Sequence, residues 1–236
     1  MSGSIYLIPT TLGDTPPLSV LPETVKKTVS SIKYFIVERE KTARHFIKKL
    51  CPEIDQSTLH FFLIDKHTPE KNYQHYFNVC AEGQDIGVIS EAGMPAIADP
   101  GSKIVAIAHQ KNLRVIPLVG PSSIFMALMA SGLNGQQFAF HGYLPKDETA
   151  RKSKLKQLEK ISFEQNQAQI FIETPFRNLK MFDSLIKYLS DNTLLCIAVD
   201  ITLPNEYIAT KSIYQWKKEK PDINKRPAIF IIENKF

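Results

Sequence analysis

The chain has 236 residues, 43% hydrophobic and 22% charged, with a formal net charge of +5. That length builds one large domain or two small ones around a substantial core, and that composition excludes a disordered chain. No apolar run approaches the ~20 residues that span a bilayer, so no membrane helix is expected.

The basic excess is uneven. Residues 1–118 carry 13 Lys/Arg against 12 Asp/Glu, and residues 119–236 carry 16 against 12. A surplus this small tolerates a polyanionic partner without requiring one. The opening MSGSIYLIPTT has no basic segment before its apolar run. It reads as the first strand of a cytoplasmic protein rather than as a signal peptide. Cys51, Cys80 and Cys196 are far apart and odd in number. They read as reduced, buried thiols rather than disulfides or zinc ligands, and no metal site is expected.

In chain order, apolar runs predict strands at Ile5–Pro9, Tyr34–Glu38, Leu59–Ile64, Ile86–Ser90 and Val115–Val119. Helical periodicity falls around 21–32, 40–50, 70–82 and 102–111. Strands separated by helices of this length predict right-handed βαβ units in a mostly parallel, doubly wound α/β sheet. Gly120-Pro121 then breaks the chain, Ser122 is placed to cap a helix running to about Ser131, and Gly132 and Gly135 end it. The pattern restarts with a strand (138–143), a Lys-rich helix (about 147–160), a strand (169–173) and a helix (176–190). Three strand-like runs follow at 194–199, 206–212 and 228–233. Their short connections predict a second, mixed sheet. Two α/β domains are therefore expected, 1–118 and 119–236.

The segment VISEAGMPAIADPGS (88–102) follows the fourth strand directly. In an open α/β sheet, ligands bind beyond the carboxyl ends of the strands. Gly93, Ala92, Ala96 and Ala98 leave main-chain groups uncovered, while Pro95 and Pro100 stiffen the loop and lower the entropy lost on binding. Asp99 is placed to cap the next helix with Pro100 at its first position. A tight connection in which small residues merely permit packing is the competing account. No G-x-G-x-x-G and no G-x-x-x-x-G-K-[ST] occurs, so the usual phosphate cradles are missing. A loop offering main-chain groups suits a phosphate-free ligand built from an adenosine and an amino acid. S-adenosylmethionine is such a molecule, and other ligands stay open.

Five segments match one family in order: IYLIPTTLGD at the start, SEAGMPAIADPG (90–101), VGPSSIFMALMASGL, FHGYLPKDETARKSK and ETPFRN (173–178). In them the chain resembles the tetrapyrrole methylases, the class III S-adenosylmethionine-dependent methyltransferases. Within that fold it is most similar to the bacterial enzymes that methylate a cytidine 2′-hydroxyl of 16S ribosomal RNA. It departs from their pattern where A-E-D-T-R stands as VEREK, where an Asp stands as Glu91, and where a His stands as Phe176. The resemblance implies an S-adenosyl-L-methionine cleft between the two domains and a homodimer. By motif, it carries the cofactor-binding role to Pro9, Ser90, Glu91, Gly93, Met94, Ile97, Ser122, Ser123, Phe171, Pro227 and Ala228. Each has an ordinary structural alternative, such as an N-cap for Ser122, core packing for Met94, Ile97 and Phe171, and a strand start for Pro227.

Methyl transfer from a sulfonium is an in-line displacement. The protein must align the reactants, an effect that reaches roughly 7–11 kcal/mol in ideal cases. A hydroxyl acceptor also needs a general base within hydrogen-bond reach. The expected catalytic residues are Glu38, His67 and Glu173. Their alternatives are a salt bridge, a hydrogen-bonded structural histidine and a carboxylate saturating backbone donors. Two basic segments, 146–160 and 211–226, form the expected RNA footprint on the small ribosomal subunit, with Tyr214 and Trp216 among the second set available to stack on bases. A solvated helix face explains the first segment equally simply, and packing explains Trp216. The competing functions are methylation of a tetrapyrrole or other small molecule, and a catalytically silent RNA-binding protein.

Overall fold

The computed structural model describes residues 2–65 and 69–234. His67 lies outside the described residues. The chain divides into two compact units, Met1–Ser122 and Ser123–Phe236.

The first unit is a five-stranded sheet of β1 (Ile5–Ile8), β2 (Tyr34–Val37), β3 (His60–Leu63), β4 (Ile86–Ile89) and β5 (Val115–Pro117), in the order β3-β2-β4-β1-β5. Every neighbouring pair is parallel. Alternation along each strand sends side chains to two separate cores. Ile8, Phe35, Val37 and Ile89 pack with Val25 and Val29 of α1 (Glu23–Ser31) and Phe46 and Ile47 of α2 (Glu40–Leu50). Ile5, Ile36, Ile86 and Val88 pack on the other face with Tyr73, Phe77 and Cys80, and with Ile104 and Ile107 of α4 (Gly101–Gln110). The helix expected at 70–82 is instead a 3-10 stretch, Glu70–Phe77, followed by the single turn α3 (Asn78–Ala81).

The second unit opens with α5 (Ser123–Ser131), which packs on the sheet formed by β6 (Phe138–Tyr143), β7 (Ala168–Glu173), β8 (Leu194–Val199), β9 (Tyr207–Ser212) and β10 (Ala228–Glu233). The strand order is β6-β7-β10-β8-β9. Only β6 and β7 pair in parallel; the other pairs are antiparallel, so this sheet is mixed. Between β6 and β7 runs α6 (Glu148–Gln165), capped by Asp147, whose Oδ1 accepts the Ala150 N–H at 2.8 Å. It continues past the expected end and stops at Asn166 in the left-handed region, φ 49°. A 3-10 turn, Pro175–Arg177, precedes α7 (Asn178–Tyr188). The short α8 (Ile213–Trp216) is set by a capping box between Ser212 and Gln215.

Trp216 is buried, donates its Nε1–H to the Leu195 carbonyl at 2.9 Å and meets Phe182 edge-on. It is a packing residue and does not stack on bases. Tyr214 is exposed, with the Lys218 ammonium over its ring. All three cysteines are buried and free, and burial pushes the Cys80 thiol up to about 11.

One buried carboxylate ties α6 to the α7–β8 turn. Glu159 Oε1 accepts the Ser190 N–H and the Thr193 hydroxyl, each at 2.6 Å, and Oε2 accepts Lys156 at 3.0 Å. Burial raises its pKa, but these donors outweigh burial and hold it below the usual carboxylate range. A depressed pKa stabilises the fold above the unfolded carboxylate pKa, and the contribution disappears as pH falls through the folded value. Glu159→Gln is therefore expected to cost about 1–3 kcal/mol at pH 7. The deficit should shrink below pH of about 4, as denaturant melts of both proteins across that range will show.

Candidate functional site

In the first sheet, β1 and β4 are neighbours whose connections leave in opposite directions: β1 leads past β4 to β2, and β4 leads past β1 to β5. This is the switch point of a doubly wound sheet, where the strand-end loops splay and leave a crevice. A pocket of about 290 Å³ lies there, lined by the loop after β1 (Thr10–Thr15), the end of β4 (Ile89, Ser90, Glu91) and α2 (Thr42, Ala43, His45, Phe46, Lys49). That volume is just below the usual range for drug-sized ligands and matches about one nucleoside.

Small residues let the strand-end loops converge. The Gly93 carbonyl accepts the Thr10 N–H at 3.0 Å and the Ser90 hydroxyl at 2.6 Å. Gly93 has φ 70°, and a Cβ there would lie 3.0 Å from Leu12 Cδ2 and 3.1 Å from the Pro121 carbonyl. A Cβ on Gly120 would lie 2.3 Å from Pro9 Cγ. Ala96 and Ala98 are also left-handed, φ 67° and 63°. Asp99 ties the loop to the helix that follows, its Oδ1 accepting the Ala96 and Gly101 N–H groups at 2.8 and 2.7 Å.

The chemistry of the lining fits a phosphate-free nucleoside. Hydroxyls of Thr11 and Thr42 and the carboxylates of Asp14 and Glu91 can meet sugar hydroxyls, and Leu12, Phe46 and Ile89 give apolar walls. Lys49, the one ammonium in the lining among the described residues, is paired with Asp14, whose carboxyl it holds below its ordinary pKa. Glu91 faces Arg39 across 3.9 Å.

The other expected residues are dispersed. Pro9 and Gly93 are buried beneath the loops, Met94 is half-buried and Ile97 is exposed. Ser122 is buried at the end of the first unit, and the half-buried Ser123 is the first residue of α5. Phe171 is buried against Phe230, ring centroids 5.8 Å apart, and Ala228 is the first residue of β10. The exposed Pro227 offers its carbonyl to the Asp200 N–H at 3.0 Å. Glu38 is half-buried at the carboxyl end of β2. Glu173 is not a free base: its Oε1 accepts the Thr174 N–H and both Nε and Nη2 of Arg177. Sequence reasoning missed the wall from α2, because Thr42, His45 and Lys49 look there like an ordinary solvated face. The cationic cluster around Arg177 was also missed. It forms a second pocket of about 150 Å³, lined by Lys146, Arg151, Glu173, Arg177, Lys180 and Met181.

Much of the expected RNA footprint is committed internally. Arg151 is 3% exposed and donates to Ser184 Oγ and the Lys146 carbonyl, so it is a structural cation. Lys211 pairs with Glu219, Lys217 with Asp191, and Arg226 with Asp200. Among the described residues, no helix is long and apolar enough to cross a membrane, and no group of three or more His, Cys, Asp or Glu side chains could hold a metal ion.

The family model for tetrapyrrole (corrin/porphyrin) methylases matches residues 5–216. The chain is 29% identical over 238 residues to "Ribosomal RNA small subunit methyltransferase I" of Buchnera aphidicola (subsp. Schizaphis graminum), covering 100% of this chain and 79% of that protein. A protein of the same name from Vibrio cholerae is 31% identical, over 86% of this chain and 67% of its own length. Two solved structures share the fold. The methyltransferase CobJ aligns over 99% of this chain and 95% of its own, with a TM-score of 0.65 at 16% identity. The uroporphyrin-III-C-methyltransferase of Thermus thermophilus aligns over 99% and 93%, with a TM-score of 0.55 at 14% identity. At those identities the structures speak for the fold alone, but the family match spans nearly the whole chain: it belongs to the tetrapyrrole methylases and is an S-adenosylmethionine-dependent methyltransferase.

Proposed function

We propose that the chain transfers a methyl group from S-adenosylmethionine to a ribose 2′-hydroxyl of small-subunit ribosomal RNA. The nucleoside-sized pocket at the β1/β4 switch point carries this reading, the relatives' names support small-subunit ribosomal RNA as the substrate, and the motif resemblance supports the ribose hydroxyl. The donor supplies the reactive methyl and its own leaving group. The protein's part is to hold and align. Ser90 and Gly93 fix the loop beyond β4, Pro9 backs the loop beyond β1, and Glu91, Met94, Ile97 and Ser122 complete the surroundings of the donor. Of the expected proton acceptors, Glu38 stands at the same carboxyl edge of the sheet as the pocket. It takes the hydroxyl proton. The protein acts in the cytoplasm and as a homodimer; sedimentation showing only monomer at micromolar concentration would overturn the dimer.

The test incubates the protein, labelled methyl donor and unmodified small ribosomal subunits, and locates the label by mass spectrometry. Label on a ribose of the RNA is expected. Calorimetry with S-adenosylhomocysteine runs in parallel: failure to bind at millimolar ligand overturns the assignment. Glu38→Gln is expected to retain that binding and to slow transfer at least a hundredfold.

A further inference from the structure

We infer that the second pocket, in the unit Ser123–Phe236, is a subsite for one nucleotide of single-stranded RNA, with the phosphate held in the pocket and the neighbouring base stacked on Phe176. The inference rests on the RNA reading above and adds to it a contact away from the donor loops.

Four cations and one carboxylate line the pocket: Lys146, Arg151, Arg177 and Lys180 against Glu173. It opens at the carboxyl ends of the parallel pair β6 and β7, where Lys146 follows β6 and Glu173 ends β7. Two helices begin beside it, α6 just after Lys146 and α7 just after Arg177, and their N-terminal dipoles favour an anion there.

The cations are held in unequal ways. Arg151 is pinned by Ser184 and the Lys146 carbonyl. Arg177 is gripped on one edge by Glu173, which leaves its Nη1 buried with no partner among the described residues. That nitrogen has almost no accessible surface, so Arg177 brings its charge to the pocket rather than a direct contact from Nη1. Lys146 and Lys180 are exposed and carry no ion pair among the described residues, unlike the lysines of the 211–217 segment. At about 150 Å³ the pocket takes a tetrahedral oxyanion but is too small for a nucleoside. Phe176, one residue before Arg177, is 80% exposed in the same 3-10 turn. An exposed ring next to a phosphate-binding cation is the pairing by which proteins hold single-stranded RNA.

The test measures binding of an unstructured oligoribonucleotide over a range of salt for the full chain and three variants. The substituted side chains are exposed, apart from the half-buried Lys154, so the variants should fold, and their melts should match the parent. Lys146→Ala with Lys180→Ala is expected to weaken binding whatever the base sequence, and to lower the slope of log K against log salt by about 0.7, the value for one phosphate on a single strand. Phe176→Ala is expected to weaken binding about tenfold with the slope unchanged. Lys152→Ala with Lys154→Ala removes the same charge from the exposed part of α6 and should leave the slope intact. Equal effects of the two lysine pairs overturn the subsite in favour of a diffuse positive field. An unchanged oligonucleotide affinity, with inorganic phosphate still binding the parent and not the Lys146/Lys180 variant, makes the pocket a free-anion site and overturns the RNA subsite. If the parent binds no RNA at any salt, the RNA reading fails and the subsite with it. A parent that binds and methylates RNA while the variants match it overturns the subsite alone.

Discussion

Gly120→Ala is expected to destabilise the protein by about 3 kcal/mol and to weaken S-adenosylhomocysteine binding at least tenfold. The new Cβ would lie 2.3 Å from Pro9 Cγ and 2.4 Å from Pro9 Cβ. A proline ring cannot rotate away, so one of the two loops has to move. Overpacking of this kind typically costs 1–3 kcal/mol, and a rigid neighbour places it at the upper end. For a chain of this size that lowers the melting temperature by roughly 6–12 °C. The loops after β1 and β5 position Leu12 and Pro121 around Gly93, so a shift there reaches the pocket. Thermal melts and calorimetry measure the two effects, and a variant with unchanged melting and donor affinity would show that the convergence of these loops is slack.

Glu173→Ala is the second large effect. Glu173 is buried and holds Nε and Nη2 of Arg177, whose side chain is 26% exposed. Removing the carboxylate leaves a largely buried guanidinium without its counter-charge, which costs about 3–5 kcal/mol for fully buried pairs. Partial exposure puts the expected loss near 3 kcal/mol. The double variant Glu173→Ala, Arg177→Met removes both charges and should recover most of it, since a buried ion pair is often no more stable than an apolar replacement. A single variant that melts like the parent would mean that water already screens the pair.

The fold was legible where hydrophobic pattern alone decides. The runs 138–143, 194–199 and 228–233 appear as β6, β8 and β10 at those residues, because each is an apolar run closed by turn-forming or charged residues. Boundaries slipped where side chains overrule periodicity. In α6 the helical register simply continues to Gln165, and at 70–82 the chain takes a 3-10 path. The lining of the candidate pocket was legible where it follows a strand, as with Ser90 and Glu91, because strand ends in such a sheet sit at the edge where crevices open. It was not legible across the fold. Nothing in the pattern of α2 marks Thr42 or His45 as pocket walls, and nothing in a Lys-rich helix distinguishes the buried Arg151 from its solvated neighbours. Burial of one cation among many is a tertiary fact. Glu173 shows the same limit: its place after an apolar strand gives no hint of the hydrogen bonds that tie it to Arg177.

The position of β10 has a consequence for how the protein is made. The first sheet has all its strands once residue 117 has left the ribosome, whereas in the second the middle strand is the last of the five to be translated. Until it arrives, β7 and β8 each lack the partner between them, and nascent chains will spend that interval with two sticky, unpaired borders. Chaperone demand during translation should therefore fall on the later half of the polypeptide, after the earlier half has already become protease-resistant.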